Sequence, residues 1–271
     1  MNPYKLKEIK ETLSKLQTTA KKSFSQNFLI DQNIVDKFIN SADVKKDETI
    51  LEIGPGLGVL TLKILEKDAN LIAIEKDKFF SAYLKSLKLS NLKVIEADFL
   101  KIDLHSLSKE KLKVISSVPY SLTSPIIIKL FKSYELFSTI TLMIQKEVAQ
   151  RILASPNTKE YGSFTVFINF YASIELVCNV SNSCFYPRPR VDSSIIQMKI
   201  KKIDTTIDRE KFHKFVQLGF SQRRKKILNC LKPILEKEKI LTALESIGFD
   251  ENTRAESLSL ENFISLYKKL F

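Results

Sequence analysis

The sequence of 271 residues contains few of the side chains that build disulfides or metal sites. It has 3 cysteines and 2 histidines. Cys178, Cys184 and Cys230 are odd in number and lack C-x-x-C spacing, which is typical of reduced thiols in a cytoplasm rather than of disulfides or a zinc site. His105 and His213 are too few and too far apart to form a metal site. We therefore expect a cytoplasmic protein without a metal centre.

The sequence also lacks a run of about 20 apolar residues, the length that a membrane-spanning helix needs. Residues 1–22 are rich in lysine, with isolated Leu and Ile but no continuous apolar segment, so they predict a basic N-terminal arm or short helix rather than a secretory signal. Hydrophobic residues make up 44% of the chain, enough for a sizeable core. We expect a globular protein with no membrane partner.

Acidic residues are scarce relative to basic ones, 31 against 43, which gives a net charge of +12. A chain this basic often binds a polyanion, most often nucleic acid. One basic cluster consists of Arg223, Arg224, Lys225 and Lys226. We predict that this cluster lies on a helix and contacts phosphate, although a solvated helix face is the alternative. A second basic segment, a stiff proline-rich loop, carries Arg188 and Arg190.

Three of the chain's 6 glycines, Gly54, Gly56 and Gly58, alternate between an apolar run and an amphipathic helical pattern. A strand, a tight glycine turn and a helix bring the backbone close to a nucleotide-like ligand. The dinucleotide pattern G-x-G-x-x-G would need glycine where Val59 stands, which argues against a dehydrogenase. Glu52 would repel phosphates, so the motif favours a ligand without them. A glycine turn that merely closes a βα unit is the alternative.

Acidic side chains follow two further apolar runs. Glu75 ends the second predicted strand, 21 residues after Gly54, where α/β nucleotide folds place the carboxylate that binds both ribose hydroxyls. Asp98 ends the third, over residues 93–99, where it could accept the amino group of an adenine. The alternation of strands and helices predicts an α/β, Rossmann-like, doubly wound parallel sheet with its ligands at the carboxyl ends of the strands.

Past residue 160, three apolar, β-branched and aromatic runs cover residues 163–171, 174–180 and 193–200. We predict that the first two form a β-hairpin. From residue 209 onward the apolar residues recur at helical spacing. The pattern predicts a first domain over residues 1–200 and a small all-helical domain over residues 201–271.

Several short motifs follow one another along the chain. They are Ser-Gln-Asn-Phe-Leu at 25–29, Glu-Ile-Gly-Pro-Gly-Leu-Gly at 52–58, Glu75, Ala-Asp-Phe at 97–99, Val-Pro-Tyr at 118–120, Phe-Tyr-Pro-Arg-Pro-Arg-Val-Asp-Ser at 185–193, and Phe-Ser-Gln-Arg-Arg-Lys at 220–225. In this order they resemble the motifs of the ribosomal RNA adenine N6,N6-dimethyltransferases, and within that family those of the small-subunit branch linked to kasugamycin sensitivity. The resemblance covers the chain from about residue 21 to its end.

The resemblance implies a Rossmann-like S-adenosylmethionine (SAM)-dependent methyltransferase with a helical C-terminal domain. It implies dimethylation of two adjacent adenines in a hairpin loop near the 3′ end of small-subunit rRNA, on the pre-30S particle, and we expect a monomer. By motif, the implied SAM-binding residues are Asn27 and Leu29 at the methionine end, Gly54 and Gly56 beside the backbone of the ligand, Glu75 at the ribose, Asp98 at the adenine, and Ser117.

The resemblance also implies a catalytic N-[LI]-P-[YF] motif, in which the amide oxygen and the proline carbonyl accept hydrogen bonds from the adenine amine and the aromatic ring stacks on the base. This chain has Ser117, Val118, Pro119 and Tyr120 at those positions, so a hydroxyl on a shorter stem replaces the amide. We expect an active enzyme whose second methylation is slower or incomplete. Phe185 is a candidate for the other face of the base, with loop packing as the alternative.

Two other functions are compatible with these residues. One is an assembly factor that binds pre-small-subunit RNA with little or no methylation, which Ser117 and the basic charge favour. The intact Glu75, Asp98, Pro119 and Tyr120 argue against it, because a binding protein does not need them. The other is the large-subunit adenine methyltransferase of macrolide resistance, which shares fold and motifs. The Phe-Ser-Gln-Arg-Arg-Lys segment and the chain length favour the small-subunit enzyme.

Overall fold

The computed structural model describes residues 5–21, 26–222 and 224–271. Their fold divides into two compact units, one made of the described residues of Met1–Ala149 and Ile174–Ile200, the other of Gln150–Ser173 and Lys201–Phe271. The predicted boundary after residue 200 coincides with one of these divisions. Residues 150–173, which the sequence pattern assigned to the first domain, instead group with the C-terminal unit.

The described residues form the following strands and helices. The strands are β1 (Phe28–Leu29), β2 (Thr49–Ile53), β3 (Asn70–Glu75), β4 (Leu92–Glu96), β5 (Leu112–Ser117), β6 (Phe137–Gln145), β7 (Ala172–Val180), β8 (Phe185–Tyr186) and β9 (Ser193–Ile200). The helices are α1 (Leu6–Lys15), α2 (Gln32–Ser41), α3 (Val59–Leu65), α4 (Lys78–Ser86), α5 (Thr123–Lys132), α6 (Lys146–Ile152), α7 (Ser163–Tyr171), α8 (Arg209–Gly219), α9 (Ile227–Leu231), α10 (Lys237–Glu245) and α11 (Leu260–Leu270). In these ranges no helix is both long and apolar enough to cross a membrane.

The main sheet has the strand order β4-β3-β2-β5-β6-β9-β7. Strands β2 to β6 pair in parallel, and β9 pairs antiparallel with β6. The chain proceeds outward from β2 to β4 and then returns to place β5 on the other side of β2. Ligands of open α/β sheets bind at such a switch point, outside the carboxyl ends of the strands. The predicted doubly wound α/β architecture is therefore confirmed.

The central strands are buried on both faces. Ile50 and Leu51 of β2 and Val114 and Ile115 of β5 are each fully buried. Continuous apolar runs of this kind are typical of parallel strands that helices cover on both sides. Glu52 is an exception in β2, because it is a carboxyl group with only 1% of its surface exposed.

The predicted hairpin over residues 163–171 and 174–180 is wrong, because Ser163–Tyr171 is helix α7. The helix starts where the Gly162 N–H donates to Thr165 Oγ1 at 3.2 Å. The ring of Phe170 packs against Phe212 of α8, with the two ring centroids 5.0 Å apart. A short apolar run rich in β-branched and aromatic residues fits a strand as well as a buried helix, so its periodicity could not decide between them.

The prediction that the cations at 223–226 lie on a helix is also wrong for the described part of that cluster. Helix α8 ends at Gly219 and α9 begins at Ile227, so Arg224, Lys225 and Lys226 lie in the connection between the two helices. Arg223 lies outside the described residues.

Candidate cofactor and substrate site

A cavity of about 280 Å³ opens at the carboxyl ends of β2 and β5. Its lining includes the predicted cofactor-binding and catalytic residues Asn27, Leu29, Gly54, Gly56, Glu75, Asp98, Ser117, Pro119 and Tyr120. The fold therefore brings together side chains that are widely separated in the sequence. Among the residues that the structure describes, the predicted RNA-binding arginines and lysines do not line this cavity.

The glycine turn after β2 forms one wall. Gly54 and Gly56 have φ angles of 68° and 58°, which side chains rarely allow. A Cβ atom on Gly54 would lie 3.9 Å from Pro119 Cδ, and one on Gly56 would lie 3.3 Å from a ring carbon of Phe28. Both positions thus need glycine for the backbone conformation, and Gly56 also needs it for the close approach of the Phe28 ring.

Glu75 ends β3 with its carboxylate at the cavity. Its Oε1 accepts a hydrogen bond from the Asp77 N–H at 2.7 Å and its Oε2 accepts one from the Gly56 N–H at 2.9 Å. Burial raises the pKa of Glu75, and these backbone hydrogen bonds partly offset the rise. Because each carboxylate oxygen can accept a further hydrogen bond, Glu75 can bind two neighbouring hydroxyl groups.

Glu52 is a second carboxyl group at the cavity, buried on the strand before the glycine turn. Thr61 Oγ1 donates to Glu52 Oε2 at 2.6 Å. Burial raises the pKa of Glu52 to about 8, and the nearby charge of Glu75 adds to the rise. A cationic ligand would favour the ionised form of Glu52, whereas a phosphate group would oppose it.

Asp98 lies two residues beyond β4, where it begins a 3-10 turn rather than ending the strand as predicted. Lys76 Nζ donates to Asp98 Oδ2 at 3.0 Å, and the Leu100 N–H donates to Oδ1 at 3.0 Å. The hydrogen bond from Lys76 is the main reason that the pKa of Asp98 is lowered. Asp98 is thus an ionised acceptor, and its partner Lys76 was not among the predicted residues.

The segment after β5 forms the opposite wall. Ser117, the last residue of β5, pairs with Met143 of β6, and its side chain is half-buried at the cavity. The carbonyl oxygen of Pro119 accepts a hydrogen bond from the Leu122 N–H at 2.9 Å. Thr123 Oγ1 makes a longer second contact with the Pro119 carbonyl, at 3.4 Å, and also donates to the Tyr120 carbonyl at 3.2 Å. A stronger donor can replace Thr123 at the second lone pair of the Pro119 carbonyl.

The short strands β1 and β8 pair antiparallel, with Phe28 opposite Tyr186 and Leu29 opposite Phe185. This pairing brings Phe185, 4% exposed, to the cavity beside Leu29. Two-residue strands give almost no signal in a sequence, so this proximity could not be derived from periodicity.

The cations predicted to bind RNA fall into both units. Arg188 and Arg190 are exposed in the first unit, and Arg188 Nε donates to Asn182 Oδ1 at 2.8 Å. In the second unit Arg224 and Lys225 are exposed, and Lys226 Nζ lies 3.7 Å from Glu251 Oε1. Arg223 is outside the described residues, so its placement stays a prediction.

A sequence model described as ribosomal RNA adenine dimethylase matches residues 17–270 of the chain. The chain belongs to this family. Membership in the ribosomal RNA adenine dimethylase family confirms the predicted resemblance, the predicted enzyme class and SAM as the predicted cofactor.

Relatives in bacteria match almost the whole chain. This chain is 40% identical to the ribosomal RNA small subunit methyltransferase A of Protochlamydia amoebophila, with 99% of this chain and 97% of that protein covered. It is 39% identical to the protein of the same name from Clostridium botulinum, with 94% and 95% covered.

Solved structures of similar fold also cover most of the chain. A dimethyladenosine transferase from Plasmodium falciparum is 28% identical with a TM-score of 0.78, over 89% of this chain and 98% of that one. The 23S rRNA methyltransferase ErmE is 25% identical with a TM-score of 0.71, over 90% and 99%. Both agree with the α/β fold described above.

Proposed function

We propose that this protein transfers methyl groups from SAM to N6 of two adjacent adenines in the 3′-terminal hairpin loop of small-subunit rRNA. It acts as a monomer in the cytoplasm, on the pre-30S particle. The observation that carries the proposal is the cavity that holds Glu75 and the glycine turn on one side and Ser117 to Tyr120 on the other. The relatives named small subunit methyltransferase A support the small-subunit substrate.

The cavity fits the chemistry of SAM. Two glycines with positive φ leave its wall free of side chains, and Glu75 has acceptor capacity for two ribose hydroxyls. We assign Asp98, which the hydrogen bond from Lys76 keeps ionised, to the amino group of the SAM adenine. The positive charge of a sulfonium favours the ionised form of the buried Glu52, whereas a phosphate would disfavour it. We assign the methionine end of SAM to Asn27 and Leu29, which line the same cavity.

The chain's residues then have to activate a weak nucleophile. When bound, SAM supplies an electrophilic methyl group. The N6 lone pair of adenine is delocalised into the ring, so hydrogen-bond acceptors at its two hydrogens make it more nucleophilic. The Ser117 hydroxyl and the Pro119 carbonyl are the acceptors that we assign, and Tyr120 stacks on the base. Holding the amine in line with the methyl group contributes much of the remaining rate enhancement.

The target adenine must leave its stack to enter the cavity. Stacking on an aromatic side chain recovers about 1–3 kcal/mol per base. Tyr120 lines one side of the cavity, and we assign its ring to one face of the extruded adenine. Phe185 also lines the cavity but packs in the hydrophobic core with Leu29, so it stays a candidate for the other face, with core packing as the alternative. Arg188, Arg190 and the exposed cations of the second unit are assigned to phosphates of the rRNA.

The decisive experiment is methylation of purified 30S particles, from cells that lack this enzyme, with labelled SAM. The labelled bases are then mapped by primer extension and mass spectrometry. We expect N6,N6-dimethyladenine at two adjacent positions in the 3′-terminal hairpin loop. The same assay on purified 50S particles should give no label, and label on their RNA would instead indicate the function named for ErmE.

The assembly-factor alternative is favoured by one observation, the hydroxyl of Ser117 at the position of the family's amide. It predicts tight binding to 30S particles with little or no incorporation of label. Incorporation of label by the wild-type chain that is lost in Glu75→Gln, while binding to 30S particles persists, would overturn this alternative.

A further inference from the structure

Asp77 is a buried carboxylate outside the cavity, two residues after Glu75. Its Oδ2 accepts hydrogen bonds from Lys21 Nζ at 2.8 Å and from Gln26 Nε2 at 3.1 Å, and its Oδ1 accepts one from the Phe79 N–H at 3.0 Å. A buried charge is costly unless it is paired and hydrogen-bonded. Burial raises the pKa of Asp77, but the hydrogen bonds from these three residues outweigh burial and leave the pKa lowered.

Gln26 connects this ion pair to the wall of the cavity. Its Oε1 accepts a hydrogen bond from the Lys21 N–H at 2.7 Å, while its side-chain amide donates to Asp77. Gln26 itself lines the cavity, as does Phe28, whose ring lies against Gly56. Asp77 therefore anchors the start of the segment that covers the glycine turn.

The backbone of Asp77 acts on the ribose site directly, because its N–H donates to Glu75 Oε1. One residue thus holds both the cavity wall, through its side chain, and the proposed ribose carboxylate, through its main chain. The charge of Asp77 also contributes to the raised pKa of Glu75, after the larger effect of burial. The ion pair with Lys21 offsets the charge of Asp77 and so favours the ionised form of Glu75, which is the form that accepts hydrogen bonds from hydroxyl groups.

We propose that Lys21, which lies outside the cavity, is a positioning residue for cofactor binding. Its ion pair with Asp77 fixes the wall that begins at Gln26 and the orientation of Glu75. This inference rests on the proposed function, because it takes Glu75 as the residue that holds the ribose of SAM. Without the cation, Asp77 becomes an unpaired buried charge, and the loop from Glu75 to Asp77 must rearrange to hydrate it.

The test is the dissociation constant of S-adenosylhomocysteine for the full chain without RNA, measured by isothermal titration calorimetry. Lys21→Met should weaken binding by about tenfold or more, since it removes the partly exposed cation that pairs with the buried carboxylate of Asp77. Lys21→Arg keeps the charge and should stay within about threefold of the wild type. Lys15→Met removes the same charge from an exposed position of α1 and should bind as the wild type does.

A second pair of variants tests whether Lys21 acts through Asp77. Asp77→Asn removes the charge that Lys21 neutralises, so Lys21→Met should have a much smaller effect in the Asp77→Asn background than in the wild type. Equal effects in both backgrounds, or wild-type affinity of Lys21→Met, would overturn the proposal. If Lys21→Met does not fold, as judged by its melting curve, Asp77→Asn and the double variant should bind S-adenosylhomocysteine equally, and weaker binding by the double variant would overturn the proposal.

A Glu75→Gln variant distinguishes the loss of the role of Lys21 from the loss of the proposed cofactor site. Glu75→Gln should bind S-adenosylhomocysteine weakly if Glu75 holds the ribose. Wild-type affinity of Glu75→Gln, or no binding by the wild-type chain, would remove the proposed cofactor site. Impaired binding by Glu75→Gln together with unimpaired binding by Lys21→Met would remove only the role of Lys21.

Discussion

The hydroxyl groups of Tyr120 and Ser193 lie 2.6 Å apart and share a hydrogen bond. Ser193 begins β9 and is fully buried, whereas Tyr120 follows β5 at the cavity. Since Tyr120 is the proposed stacking residue, the buried Ser193 fixes the ring on which the target adenine would lie.

Ser193→Ala should therefore lower methylation without affecting cofactor binding. One net hydrogen bond contributes about 0.5–1.5 kcal/mol, so we expect kcat/KM for 30S particles to fall about two- to tenfold. Tyr120→Phe removes the other side of the same bond and is the matched control. The double variant should be no worse than either single one. Fully additive losses would show that the two hydroxyls do not act together.

Ser117→Asn restores the amide of the family motif and should accelerate the second methyl transfer more than the first. A longer acceptor reaches the amine of the monomethylated base more directly. A well-placed hydrogen bond to a transition state contributes as much as about 10²–10³ in rate, and we expect at least a severalfold gain. Single-turnover assays on 30S particles resolve the two steps. Equal rates for wild type and Ser117→Asn in both steps would contradict the assigned role.

Gly56→Ala should weaken binding of S-adenosylhomocysteine and destabilise the fold. The alanine would adopt a φ of 58° and place its Cβ atom 3.3 Å from the Phe28 ring. Left-handed backbone costs a residue with a side chain about 1–2 kcal/mol. Gly248→Ala is the control, because Gly248 has a φ of 82° but no atom near its added Cβ. Gly248→Ala should lose stability but keep its affinity for S-adenosylhomocysteine. A loss of affinity in Gly248→Ala as large as that in Gly56→Ala would contradict the role of Gly56.

The exposed cations should govern affinity for RNA and leave cofactor binding unchanged. Arg188→Gln combined with Arg190→Gln should weaken 30S binding. It should also reduce the slope of log K against log salt by about 0.7–0.9 for each phosphate that the protein no longer neutralises. The pair Arg224→Gln and Lys225→Gln should behave likewise.

The control for these charge variants is the double change Lys46→Gln and Lys67→Gln. Both lysines are exposed and precede β2 and β3, at the edge of the sheet opposite the cavity. This control removes the same charge and should leave both affinity and salt slope near the wild-type values. A loss as large as that of the arginine variants would indicate a general effect of net charge.

The C-terminal unit should lose stability in mild acid because of His213. Burial lowers the pKa of His213 to about 4, with a smaller contribution from the charge of Arg209, and Nδ1 has no partner among the described residues. A folded-state pKa below the ordinary 6.5 means that the unfolded chain binds the proton first. Stability is therefore lost as the pH falls from 6.5 toward 4.

Between about pH 7 and about pH 5, His213 should lower the free energy of unfolding by about 2 kcal/mol. Urea unfolding at the two pH values measures it. His213→Gln keeps a polar partner for the Tyr171 hydroxyl, 2.8 Å from His213 Nε2, and should lose about 2 kcal/mol less over the same interval. The same pH dependence in both proteins would show that His213 is not responsible.

Much of the site could be predicted from the sequence because its signals are local. The spacing of the glycines, the carboxylate 21 positions later at Glu75, and the Pro119–Tyr120 pair each lie at the end of an apolar run. In a parallel sheet the carboxyl ends of neighbouring strands meet at one edge, so local motifs of this kind converge without further information. Asp98 followed the same rule, although it lies beyond the strand rather than at its end.

Only the tertiary structure could decide how distant segments complete this site. Helix α7 replaces the predicted hairpin because packing, not periodicity, selects the conformation of a short apolar run. The pairing of β1 with β8 brings Phe185 to the cavity from a distant part of the sequence. No local pattern could predict the bond between Ser193 and Tyr120 or the ion pair between Lys21 and Asp77. Such pairs depend on the order of the strands and on the burial of charge, which single segments do not encode.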